Sequence, residues 1–337
     1  MVSIPVQIGI CISGLIVFGS FLSIITPILA TTYESLYFIS LWTSIQFVII
    51  FGILYLIVNR FKVSLPNHKL SILFSGIFSA TMSLFSVYAA SPLRCPPVMQ
   101  SVLSGLGILP NVLFTKYILR KPTVYIKKFI IPSIILLLAS IGISIIPLAG
   151  IWSPLSVLWI GLFVIGVISR SLYGVFQEKY LTDSQDGSVK NKITVMFYTR
   201  VVHLLTVIPF FFLEWVIGYN SDPLTEFSDS FIMFFTKVKE SFMMEGFILA
   251  YVIFFIFSLY LNSISSNYNM IASIIITPAT GIFFSIFPSL NKGVSYPIYI
   301  IIPSLVCCAA SVVLWIIGER IGREGYEQVD DKSKTIN

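Results

Sequence analysis

Charge is what this sequence most lacks. Only 11% of its 337 residues are Asp, Glu, Lys or Arg, where a soluble domain carries roughly 25%. So few charges cannot coat a water-facing surface, which argues against a soluble globular fold. Histidine is scarce: His68 and His203 stand far apart, and no Asp lies inside an apolar run. Paired ligands for a hydrolytic metal and twin carboxylates for aspartyl chemistry are both missing, so we expect no enzyme, no cofactor and no metal. The cysteines Cys11, Cys95, Cys307 and Cys308 show no metal-ligand spacing and imply no disulfide framework. Cys307 and Cys308 sit in an apolar run, where a thiol behaves as a small apolar side chain. There is no Asn-x-Ser/Thr acceptor and no Gly-rich phosphate loop, so this chain is not expected to be driven directly by ATP. Rings of charge and a filter-like loop, the marks of a channel, are also wanting.

What is present is apolar. Hydrophobic residues make up 56% and mean hydropathy is +0.93. Near-continuous apolar runs of about 20 residues read as transmembrane helices, and their lack of alternation excludes a membrane β-barrel. Ten spans are expected: about 4–30, 36–58, 70–91, 97–119 and 128–148, then 154–176, 193–217, 246–265, 267–289 and 295–318. The first has no basic n-region and is longer than a signal-peptide core, so it is read as a retained helix. Fifteen of the 21 Lys and Arg fall in the links after spans 2, 4 and 6 and in the tail, four on the opposite side, and Arg170 and Arg200 within spans. The positive-inside rule then places both termini in the cytoplasm. With the basic residues at membrane edges, the net charge of +6 is no nucleic-acid signal.

Two passages nearly repeat. Ile130-Ile131-Pro132-Ser133 returns as Ile301-Ile302-Pro303-Ser304, and Ala139-Ser140 returns as Ala310-Ser311. Ile108-Leu109-Pro110 has a counterpart in Ile276-Thr277-Pro278. The offsets, 171 and 168, are close to half of the 337 residues. Five spans per half is an odd number, so the halves must run in opposite directions, the inverted topology of alternating-access carriers. We therefore expect an all-α membrane protein with a first five-helix repeat over 1–150, a second over 151–320 and a cytoplasmic tail over 321–337. The acidic link 218–245 lies on the non-cytoplasmic side. Its Phe231, Phe234, Phe235, Val238 and Phe242 follow helical spacing, predicting one amphipathic helix on the membrane surface or over the cavity mouth.

Three stretches carry a family resemblance. They are Met99-Gln100-Ser101-Val102-Leu103 through Pro110-Asn111 to Tyr117-Ile118-Leu119-Arg120; Val175-Phe176-Gln177-Glu178-Lys179-Tyr180; and Pro278-Ala279. Together with the order of spans they resemble chloroquine-resistance-transporter-like proteins of the drug/metabolite transporter superfamily. The resemblance implies a ten-helix, two-fold pseudo-symmetric carrier in a vacuolar or lysosome-like membrane, moving amino acids, short peptides or cationic drugs and driven by protons. The chain departs from that pattern in having no long N-terminal region, no cysteines in the link after span 7 and no Lys or Arg in its first helix. The drug specificity is not carried over.

Ionisable residues inside spans are the first site candidates. Arg170 and Arg200 lie roughly 10–12 Å from the cytoplasmic edge at 1.5 Å per residue, a depth that snorkelling or a structural pair also explains. His203 is one turn from Arg200 and suits proton coupling or a structural hydrogen bond. If both arginines face a cavity free of acids, the site favours a carboxylate or phosphate; Glu178, two turns from Arg170 at the membrane edge, would cancel this by neutralising it. Gln100, Asn111, Tyr173, Asn262, Tyr268, Asn269 and Thr277 are lining candidates that helix-to-helix bonding explains equally well. Pro110 and Pro278 interrupt backbone bonding in equivalent helices, as flexing points or static kinks. Gly325-Tyr326-Glu327-Gln328-Val329 resembles an endolysosomal sorting signal. The expected function is secondary transport of a small organic solute across an endolysosomal or vacuolar bilayer, with protons as coupling ion and no nucleic-acid partner. The alternative is a nucleotide-sugar or phosphate-ester exchanger of the same fold.

Overall fold

The computed structural model describes residues 4–63, 65–66, 68–91, 94–120, 127–146, 154–184, 186–216, 222–287, 289, 299–311 and 313–318. The tail motif 325–329 and the side chains of Thr277 and Pro278 lie outside the described residues. The described residues form helices without a strand. They are α1 (Ile4–Thr32), α2 (Leu36–Val58), α3 (Lys69–Ala89), α4 (Pro97–Ile118), α5 (Lys127–Ile145) and α6 (Pro154–Asp183). There follow α7 (Val189–Phe212), α8 (Pro223–Thr236), α9 (Val238–Asn262), α10 (Ser266–Ile286) and α11 (Tyr299–Gly318). Eight of these are long and apolar enough to cross a membrane: α1, α2, α3, α4, α6, α7, α9 and α11. α5 and α10 stand where the fifth and ninth spans are expected. The chain is a multi-pass helical membrane protein.

Its surface is built for lipid. On α2, Ile49, Ile53 and Ile57 are 50%, 54% and 59% exposed, whereas Ser40, Ser44, Phe47, Phe51 and Tyr55 face inward. An apolar stripe outside with hydroxyls inside is the reverse of a soluble amphipathic helix. Helix starts follow local chemistry. Ser35, Ser188, Ser265 and Asp222 cap α2, α7, α10 and α8 by accepting bonds from Phe38, Asn191, Asn267 and Thr225 backbone N–H groups, each meeting an otherwise orphaned donor.

The link after α7 departs from expectation. Lys237 is extended (φ −108°, ψ 101°) and divides the apolar spacing between two helices. Val238 and Phe242 therefore belong to α9, which starts eight residues before the expected span 8. α8 rests on the start of α2: the Ser35 N–H donates to Ser230 Oγ (2.9 Å), and Trp42 packs against Phe231, Phe234 and Phe235. This aromatic packing fixes where α8 ends, something spacing alone cannot register.

The helices of residues 1–150 pack chiefly on those that follow. The most extensive interface is α3 on α6, then α1 on α9, with α2 and α3 on α7, α1 on α10, and α4 on α6 and α10. Gly76 of α3 makes one approach possible, since a Cβ there would lie 2.5 Å from Val202 Cβ and 3.0 Å from the Thr199 carbonyl oxygen.

The repeated serines meet each other. Ser133 Oγ donates to the Ser311 carbonyl and Ser311 Oγ to the Ser133 carbonyl, both at 2.8 Å. Ser140 Oγ donates to the Ser304 carbonyl (2.7 Å) and Ser304 Oγ to the Ser140 carbonyl (2.9 Å). Moving up α5 from Ser133 to Ser140 moves the partner down α11 from Ser311 to Ser304, so the two helices run antiparallel. Adding the offset of 171 to the α5 serine of one pair and subtracting it from the α11 serine yields the other pair. In lipid, such bonds together with close small-residue contact hold helices where no hydrophobic force does, at ~0.6 kcal/mol each on average. In a cysteine-free background, Ser133→Cys with Ser311→Cys will form a disulfide on mild oxidation, seen as a mobility shift on denaturing gels. Ser133→Cys with Ser304→Cys, the parallel register, will not.

Candidate functional site

A chain of buried polar groups crosses four helices. The Gly76 contact brings Ser79 of α3 against α7, where Arg200 Nη1 donates to Ser79 Oγ (3.0 Å). Ser79 Oγ is also 2.9 Å from His203 Nδ1. Arginine is an obligate donor, so the Ser79 hydroxyl is free to donate onward to Nδ1, which leaves the His203 proton on Nε2. That nitrogen is buried and has no hydrogen-bond partner among the described residues. On its other side Arg200 Nη2 donates to the Tyr173 hydroxyl of α6 (2.8 Å). Tyr173 also accepts from Gln177 Nε2 (2.9 Å), and Gln177 Oε1 accepts from Asn262 Nδ2 of α9 (2.8 Å). The guanidinium carbon lies 3.7 Å from the centre of the Phe255 ring, a cation–π contact that offsets part of the cost of burial. Arg200 is 1% exposed and its Nε finds no acceptor among the described residues.

Arg170 is placed differently. It lies on α6 one turn before Tyr173, is partly exposed and has its guanidinium 5.5 Å from the Phe254 ring. It lines a cavity of about 100 Å³ that adjoins a second of about 120 Å³, room for several waters or a small solute. Six helices wall the first: α1 and α3 give Ser23 and Ser86, α4 gives Ser101 and Ser104, α6 gives Arg170, α9 gives Tyr251 and α10 gives Thr280. Neither Asp nor Glu is among the described lining residues. Ser101 Oγ and Thr280 Oγ are 2.8 Å apart, while the Ser23 and Ser86 hydroxyls make no hydrogen bond with the described residues. Tyr251 lines both cavities together with Arg170.

The structure thus separates candidates that the sequence grouped. Arg170 faces the cavity; Arg200, His203 and Tyr173 form a buried network behind it. Glu178 Oε2 accepts from the Ser266 N–H at the start of α10 (2.7 Å). That places a carboxylate at the positive end of a helix dipole. Gln100 lines the second cavity, and its Nε2 holds the Ala90 and Cys95 carbonyls at 3.0 and 2.6 Å. Asn111 Nδ2 donates to Asn267 Oδ1 (2.7 Å), and Asn269 Nδ2 to Ser258 Oγ (2.8 Å), both helix-to-helix bonds. Tyr268 is half-buried against the core and does not line either cavity. Just before Pro110, residues Gly105–Gly107 tighten into a 3₁₀ turn, a form often found at hinges. Ser171 Oγ donates to the Gly107 carbonyl there (2.8 Å). Around Pro278 the helix runs unbroken. Ser79, Gln177, Tyr251 and the cavity hydroxyls were not anticipated. The spacing Ser71, Ser75, Gly76, Ser79 was the available signal, a small-residue face on which another helix can settle closely.

Compared with known proteins, the chain matches no family model, and no curated protein matches it significantly.

Tyr173→Phe removes the acceptor for Arg200 Nη2 and Gln177 Nε2 and leaves both donors buried. We predict a loss of ~1.5–3 kcal/mol, as for hydrogen bonds to charged groups, read as a lower thermal midpoint in detergent. Gly76→Ala forces α3 from α7 and is predicted to cost ~1–3 kcal/mol, as overpacking does, in the same assay.

Proposed function

We propose that the chain is a secondary carrier, not an enzyme, moving a small organic solute by alternating access between two inverted five-helix halves. One observation carries this reading. The cavity draws on α1, α3 and α4 before residue 150 and on α6, α9 and α10 after it. In a ten-span count these are the first, third and fourth spans of each half, so every wall helix has its counterpart across a pseudo-two-fold axis. A site at the interface of inverted repeats is where such carriers bind substrate. The reciprocal serine bonds between α5 and α11, related by the repeat offset, support the same symmetry.

The chloroquine-resistance-transporter-like resemblance extends the proposal. It assigns amino acids, short peptides or drug-like metabolites as substrates, protons as coupling ion and an endolysosomal or vacuolar membrane, while the distribution of Lys and Arg favours cytoplasmic termini. A phosphate-ester or nucleotide-sugar exchanger of the same fold is the second reading, favoured by a basic cavity residue with no acid among the described lining residues. Proteoliposome uptake of amino acids, dipeptides and nucleotide sugars, with and without an imposed pH gradient, tests both. The proposal predicts amino-acid or dipeptide uptake that rises with the gradient. Uptake of nucleotide sugars alone, indifferent to pH, selects the second reading.

A further inference from the structure

Resting on the carrier reading, we infer that Arg170 is the docking group for a single carboxylate on the transported solute. The cavity offers one guanidinium, set into a wall otherwise made of hydroxyls and apolar side chains: Ser23, Ser86, Ser101, Thr280 and Tyr251 beside Phe163 and Phe254. A planar fork of N–H donors matches a carboxylate in two parallel bonds, and Ser23 and Ser86, unengaged by the described residues, can donate to the same oxygens. The charge count points to a monoanion. A phosphate monoester brings close to two negative charges at neutral pH, and the described lining holds no second cation to meet them. Arg200 cannot supply it in this state, because Nη1 and Nη2 are committed to Ser79 and Tyr173. A substrate bearing only positive charge is disfavoured by the same wall, whose described lining residues include a cation and no acid.

The site also has a route to the rest of the protein. Arg170 and Tyr173 are one turn apart on α6, so a carboxylate that draws Arg170 moves the turn from which Tyr173 holds Arg200. Binding at the cavity and the packing of α3, α7 and α9 around Arg200 therefore share one helix segment.

The test separates binding from transport. Purified full-length protein in detergent is titrated with glycine, alanine and the dipeptide alanyl-alanine, their methyl esters, and glycerol phosphate, following thermal stabilisation. Uptake of the same compounds is measured in proteoliposomes. We expect the free acids to stabilise the protein, and the esters and the phosphate to do so at least about tenfold more weakly, the size of a lost charge-assisted pair. Arg170→Gln is expected to remove that preference, Arg170→Lys to restore part of it, and Ser23→Ala to weaken acid binding a few-fold with an unchanged melting point. If acids and esters bind alike, if glycerol phosphate binds best, or if no acid binds, the inference is overturned. Acid-selective binding that depends on Arg170 but comes without uptake keeps the inference and overturns the carrier reading.

Discussion

The structure depends on solvating one positive charge with no carboxylate among its described partners. Arg200 lies at the meeting of α3, α6, α7 and α9, and its charge meets Ser79, Tyr173 and the Phe255 ring. A buried ion costs several kcal/mol unless hydrogen bonds and dipoles replace water around it. Each replacement has its own requirement. Ser79 reaches Arg200 only because Gly76 lets α3 settle on α7. Tyr173 is oriented by Gln177, and Gln177 by Asn262 of α9. The charge is met by a ring of neutral groups from four helices, and those helices are held in register by meeting it.

The other organising feature lies away from this centre. Serines of α5 and α11 exchange bonds to each other's backbone, an arrangement available only to antiparallel helices with matched spacing. The cavity is walled by six helices, with no residue of α5 or α11 among its described lining. The proposed motion thus has two tightly bonded regions and a looser, hydroxyl-lined space to work with. The 3₁₀ turn of α4 borders that space, through Ser104.

Much of this was legible in the sequence, for physical reasons. Apolar runs and charge-poor composition identify membrane helices, because lipid punishes any exposed polar backbone. The duplicated Ile-Ile-Pro-Ser and Ala-Ser strings marked the residues that pair across α5 and α11, although their reciprocal bonding needed coordinates. Arg170 and Arg200 stood out as charges inside spans. Their division into a cavity residue and a buried one did not, since depth along a helix says nothing about which face a side chain takes. Spacing also merged α8 with the start of α9, because the break at Lys237 comes from packing on α2 and not from a breaker residue.

Alternating access requires the six-helix cavity to open in turn to the two sides of the membrane. A single cysteine at Ser86, in an otherwise cysteine-free protein reconstituted in one orientation, tests it with a membrane-impermeant thiol reagent applied from either side. Alternating access predicts labelling from both sides, with a transported solute shifting the balance between them. Labelling from one side only, unchanged by any solute that is taken up, would contradict it.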